Sequence, residues 1–292
     1  MARSYLSLVM LFFANICYAF PCYYGTRGLM HIISADCEWE YQRAPLLSLN
    51  LSTDAYSVPY RDLYLGEGDT YFYQGFSHLS VTYTPSRFYE IFGLLRHTDI
   101  IIGRVFPAAG GFGDASLGIK CNFFIGEVFR AGVYESIDIP VNRGPFCNDQ
   151  YSNKFLLLGT WDLSQSAVGT PLRIHINLGF KTTEERIFMV GVGGSLSAAL
   201  FTYFVEVKGE SDKYFKKIPM AITNGLRFHP NDILNFDIAV LFGNDYEYTK
   251  PYWPIRPDWL KGEVLSKPQF RIMAGVSVIT PVLQKRLSQW WL

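Results

Sequence analysis

From residue 172 to residue 181 the chain alternates without a slip. Leu172, Ile174, Ile176, Leu178 and Phe180 form one set; Arg173, His175, Asn177, Gly179 and Lys181 form the other. Successive side chains of a β-strand point to opposite faces, so this run makes a ribbon with one apolar face and one polar face. Residues 114–123 repeat the pattern, with Ala115, Leu117, Ile119, Cys121 and Phe123 opposite Asp114, Ser116, Gly118, Lys120 and Asn122. Residues 46–55 set Leu47, Leu49 and Leu51 against Ser48, Asn50, Ser52 and Asp54. Weaker versions run through 76–85, 89–102, 130–140, 155–165, 199–208, 218–229, 233–243 and 270–280. Strands of this kind have two solutions: two sheets packed face to face, or one sheet closed on itself.

The strands come in pairs around short connections. Pro85-Ser86, Gly126-Glu127 and Pro230-Asn231-Asp232 carry turn-forming residues between alternating runs. Longer polar segments separate the pairs, at 57–75, 103–112, 141–154, 209–217 and 244–268. Counting from 45–57 to 268–282 predicts twelve antiparallel strands, with short turns at one end and long loops at the other. Residues 28–40 add a thirteenth apolar run. It either lies inside the barrel or pairs with a further strand to make fourteen. Residues 187–205 are free of charge over a length that suits a membrane helix. Gly191, Gly193, Gly194, Ser195 and Ser197 at its centre favour a hairpin with its turn at the glycines.

Length and chemistry choose between sandwich and barrel. Several runs reach about ten residues, the span of a tilted transmembrane strand (about 9–11) rather than the 5–6 usual in sandwiches. The polar face carries ionisable groups at mid-strand: Lys120, Asp162, Arg173, Glu206 and Asp237. These suit a wet lumen, not the middle of a sandwich. Tyr83, Phe88, Tyr89, Phe123, Phe124, Phe228 and Phe236 cluster near strand ends, where aromatic girdles lie in a membrane barrel. Charged residues make up 18% of the chain, below the roughly 25% of a typical soluble domain. Lys+Arg and Asp+Glu number 26 each, so no basic surface for nucleic acid is expected.

The amino terminus reads as an export signal. Arg3 precedes an apolar stretch over 6–16, and Cys17-Tyr18-Ala19 fits a small-x-small cleavage site. The expected organisation is a signal peptide at 1–19, an N-terminal segment at 20–44, the barrel at 45–283 and a tail at 284–292. Export permits disulfides. Cys22, Cys37, Cys121 and Cys147 remain after cleavage; Cys22–Cys37 is one possible bridge, and isolated thiols are the other reading.

With these features together the chain resembles bacterial outer-membrane β-barrel proteins of the porin-like type. The run GDASLGIKCNFF at 113–124 looks like a strand of that class, and GLMHIISA at 28–35 looks like a segment near the start of some such barrels. The resemblance implies an all-β, up-and-down transmembrane barrel in the bacterial outer membrane. Membrane lipid, the outer-membrane assembly machinery and small solutes would be its partners. It implies a passive channel or a structural barrel, not an enzyme. Members of the class often end their last strand on an aromatic residue. Here Gln284–Leu292 follows the last alternating run, with Trp290 and Trp291 before a terminal Leu292, which departs from that pattern.

No nucleophile, zinc or phosphate-loop motif is present, and the five histidines lack metal-ligand spacing. No catalytic, cofactor-binding or metal-ligating residue is therefore assigned. The alternation places Lys120, Asp162, Arg173, His175, Lys181, Glu206, Arg227 and Asp237 on the lumen face, with His175 as a solvated lumen group. Arg96, Lys208 and Arg271 join them, as do Asp54, Asp114 and Asp138, so the signs nearly balance. A one-sign ring is needed for strong ion selectivity. The expectation is weak selectivity or a lumen closed by salt bridges. The aromatic loop at 244–268, with Tyr246, Tyr248, Tyr252, Trp253 and Trp259, is the candidate for binding a partner from outside.

Overall fold

The structure, a computed structural model, describes residues 28–29, 31–35, 37, 45–62, 69–102, 109–141, 151–165, 169–182, 186–198, 200–211, 214, 218–231, 233–243, 262–264 and 270–281. The expected signal peptide, the tail at 284–292, Cys22, Cys147 and the aromatic residues of the 244–268 loop lie outside these residues.

The strands are β1 (Leu46–Asp62), β2 (Asp69–Ser86), β3 (Tyr89–Ile102), β4 (Ala109–Ile125), β5 (Phe129–Ile139), β6 (Ser152–Asp162), β7 (Leu172–Thr182), β8 (Arg186–Ala198), β9 (Phe201–Ser211), β10 (Met220–Phe228), β11 (Leu234–Gly243), β12 (Gly262–Val264) and β13 (Phe270–Pro281). Each long strand pairs antiparallel with its neighbour in sequence. Closure comes from β13, which pairs with β11 on one side and with β1 on the other, from Leu46↔Pro281 to Ala55↔Ile272. Twelve strands thus form one closed antiparallel barrel, as the alternation predicts. The three-residue β12 rides on the loop-end extension of β1, with Tyr60 opposite Val264.

Side-chain period and closure together sort the residues. On β7, Arg173, His175, Asn177, Gly179 and Lys181 are buried, and Ile176, Leu178 and Phe180 are exposed. The same inversion runs around the barrel: Leu47, Leu49, Leu157, Val190, Val192, Ile222 and Ile238 face outward, while Asn50, Lys120, Thr160 and Thr223 are buried within. A continuous apolar outer surface of this extent is what a lipid-facing barrel needs and an aqueous protein avoids. Tyr83, Phe88, Tyr89, Phe123, Phe124 and Phe236 are exposed near the short-turn end. Phe228 stacks with Phe201 and Phe236 in the same band.

Three local expectations change. The β8–β9 turn falls after Ala198, beyond the glycine cluster, so Gly191, Gly193 and Gly194 sit inside β8. The β2–β3 turn is Arg87-Phe88; Pro85 and Ser86 still belong to β2, with Ser86 paired to Tyr89 across an irregularity. The division into short turns and long loops fails around β7: a 3-10 turn over Leu163–Gln165 opens the longer connection at its short-turn end, and only three residues separate Thr182 from Arg186 at the other. Of the two placements open for residues 28–40, the described ones (28–29, 31–35 and 37) take the interior of the barrel, and their one bridge among the described residues is internal, Gly28↔Ile33.

Candidate functional site: the lumen and the segment lodged in it

The inner wall is built from the polar members of each alternating strand. Their charges meet in pairs, and for three of these the antiparallel register puts the partners opposite one another on neighbouring strands. Glu90 and Lys120 are register partners across β3 and β4, with Lys120 Nζ 2.8 Å from Glu90 Oε2 and both side chains at 0% exposure. Asp162 lies 2.8 Å from its register partner Arg173, and Arg130 adds a longer contact at 3.7 Å. Arg227 grips Asp237 with two donors, Nε at 2.5 Å and Nη2 at 3.1 Å. Lys181 Nζ meets Asp138 at 2.9 Å, and Ser116 and Ser152 donate to the same carboxylate. Arg271 donates to Asp54 at 2.9 Å.

Every residue of the expected lumen set is buried: Lys120, Asp162, Arg173, His175, Lys181, Glu206, Arg227 and Asp237. His175 is not a solvated group. Its Nδ1 sits 3.0 Å from Thr160 Oγ1, and the ring is shut off from water. The lumen is closely filled at these positions for two reasons, the ion pairs and a stretch of the chain itself.

That stretch is the run 28–37. Leu29 N donates to Ile32 O at 2.9 Å, and the Gly28↔Ile33 bridge closes a small loop above it. The loop is read by its backbone. Glu206 Oε1 accepts from His31 N at 2.8 Å and from Ile32 N at 2.9 Å, while Oε2 lies 3.2 Å from His31 Nδ1. Asn177 binds both sides of one residue: Oδ1 accepts from Ile33 N and Nδ2 donates to Ile33 O, each at 2.7 Å. Thr160 Oγ1 accepts from Ala35 N at 2.8 Å, and Arg227 Nη1 donates to Gly28 O at 3.2 Å. Asn122 Nδ2 donates to Cys37 Sγ at 3.3 Å.

The apolar side chains of the loop need a seat, and β8 provides it. A Cβ on Gly193 would lie 2.6 Å from Leu29 Cδ1, and one on Gly191 would collide with Ile32 Cδ1. This is why the glycines stand in mid-strand: the wall needs hollows there, and a side chain would fill them. Leu29, Ile32 and Ile33 join an inner apolar cluster with Leu156, Met189 and Phe204. Cys37 lies fully buried in the lumen, and Cys121 carries a free thiol; Cys22 lies outside the described residues.

Of the residues that hold the loop, Glu206 and Arg227 were candidates from sequence. Thr160, Asn177, Gly191 and Gly193 were not. Asn177, Gly191 and Gly193 sit on the inward set of alternating strands, which was a usable signal. Nothing local marks them as partners of residues about 150 positions earlier.

No protein-family model matches the chain, and no curated protein matches it in sequence. Solved structures do share the fold. An outer-membrane channel from Pseudomonas putida F1 superposes with a TM-score of 0.57 at 8% identity, over 81% of this chain and 96% of that one. The NanC porin superposes with a TM-score of 0.50 at 9% identity, over 79% of this chain and 98% of that one. At such identities the likeness is one of fold.

Proposed function

We propose that this chain is a passive, porin-like channel of the bacterial outer membrane, exported by the segment at 1–19 and inserted by the outer-membrane assembly machinery. One observation carries the reading: a closed twelve-stranded barrel with an apolar outside and a polar, ion-paired inside. That inversion fits lipid outside and an aqueous path inside. The shared fold with the Pseudomonas putida channel and the NanC porin supports it, as does the absence of any catalytic constellation in the sequence. The cargo is small solutes, and the charge-matched wall gives them little sorting by sign.

Planar-bilayer recording of purified protein tests this. Discrete conductance steps are expected, with a reversal potential near zero across a salt gradient corrected for ion mobilities. Protein that stays silent under every voltage and detergent condition, with the segment in its lumen docked or displaced, would overturn the channel reading. A strongly anion- or cation-selective current would overturn the charge-balance argument.

A further inference from the structure

Resting on that channel reading, we infer that the inner wall of β6–β10 is a binding site for a backbone loop, occupied by residues 28–35 of this chain, and that solute passes only when this loop undocks. Three observations point to a removable occupant rather than a permanent core.

The first is that the wall does not depend on the loop. The strand ladder closes completely through β1 and β13, and the loop contributes no ladder pairing to it. The second is the chemistry of attachment. The loop is held by a carboxylate, a carboxamide, a hydroxyl and a guanidinium, through the bonds to Glu206, Asn177, Thr160 and Arg227 described above. A permanent filler is held more cheaply by apolar contact alone, because burying Glu206 costs desolvation; this loop adds the polar contacts to its apolar seat on β8. In an emptied, wet lumen all four groups are satisfied by water, so both states leave them bonded. The third is geometry. Cys37 and Ala35 meet Asn122 and Thr160, near the short-turn ends of β4 and β6, and Gly28 meets Arg227, one residue before the short-turn end of β10. His31, Ile32 and Ile33 reach the mid-strand residues Glu206 and Asn177. The loop therefore dips in and returns to the same end.

The native Cys37 thiol, fully buried beside Asn122, reports on docking. The test uses full-length protein in lipid vesicles with Cys22, Cys121 and Cys147 replaced by serine. Two variants loosen the loop by independent means. Glu206→Ala removes three of its contacts. Gly191→Leu fills the hollow that Ile32 occupies and leaves the wall's hydrogen bonds in place, so it carries the test if the first variant does not fold. Cold-detergent gel mobility confirms the barrel in each. Both variants are expected to raise the alkylation rate of Cys37 by a small water-soluble maleimide at least ~10-fold, the effect of ~1.4 kcal/mol on an equilibrium. Both are expected to raise the open fraction in planar bilayers. Asn122→Cys, oxidised onto Cys37, is expected to abolish openings until a reductant is added.

Unchanged alkylation and conductance in folded variants would overturn the proposal and leave the channel reading standing. So would full conductance through the oxidised tether. Faster alkylation with no conductance in any form would overturn the channel reading, and the gate with it.

Discussion

The Glu90–Lys120 pair gives the most quantitative test of how dry the lumen is. Its two side chains have no solvent exposure and meet at 2.8 Å across adjacent strands. Removing one member of a buried ion pair usually costs about 3–5 kcal/mol. Replacing both by apolar groups of similar volume is often neutral or stabilising. Lys120→Met should therefore lower the stability of the folded barrel by about 3–5 kcal/mol, and Glu90→Leu with Lys120→Met together should recover most of that loss. Equilibrium urea unfolding in lipid vesicles, followed by tryptophan fluorescence and gel mobility, measures all three proteins against wild type. The coupling between the two sites is the decisive quantity. If Lys120→Met falls within about 0.5 kcal/mol of wild type, in the range of ordinary surface changes, then water reaches Glu90 and the dry-lumen argument is wrong.

Two further outcomes follow from the inside-out sorting and from one buried turn. Leu178 faces outward at mid-strand, between Leu157 and Val190 on the neighbouring strands. Leu178→Arg should cost about 2–4 kcal/mol in vesicle unfolding, whereas Phe201→Arg, at the turn end, should cost only about 0–1. Equal costs at both sites would contradict the lipid-facing placement. His229 lies in the β10–β11 turn, where Nδ1 meets Asn235 Oδ1 and Nε2 meets Thr202 Oγ1. Burial pushes its pKa below the ordinary 6.5, against the opposing hydrogen bond to Asn235. The folded state then binds fewer protons than the unfolded one between the two pKa values. The contribution is complete above the unfolded value and is lost as pH falls through that window. The unfolding midpoint of wild type should drop more steeply from pH 7 to pH 5 than that of His229→Asn; parallel curves would show that the imidazole is solvated.

The barrel was largely legible because a two-residue period is local. The face assignment of 172–181 or 114–123 needs no knowledge of the rest of the chain, and strand length and mid-strand charge then separate a membrane barrel from a sandwich. Turn positions were less legible. Gly191, Gly193 and Gly194 carry turn chemistry, yet stand in β8, because a tertiary demand for space overrode local preference. Pro85 likewise misplaced a turn by two residues. The lodged loop was the least legible part. Leu29 to Ile33 reads equally well as a strand. The groups that hold it, Thr160, Asn177 and Glu206, are ordinary members of other strands and lie 125 to 175 residues away. The balance of lumen charge was visible in the sequence. Which charges meet depends on register, a one-residue slip of which reverses every face.

A barrel of twelve strands with lipid against its apolar face resists cold detergent as a folded unit. Gel mobility of the membrane fraction in cold detergent, with and without boiling, is therefore decisive. A compact, cold band should shift to the mobility of the unfolded chain on boiling. A single band of unchanged mobility, from protein released from the membrane by alkali without detergent, would contradict it.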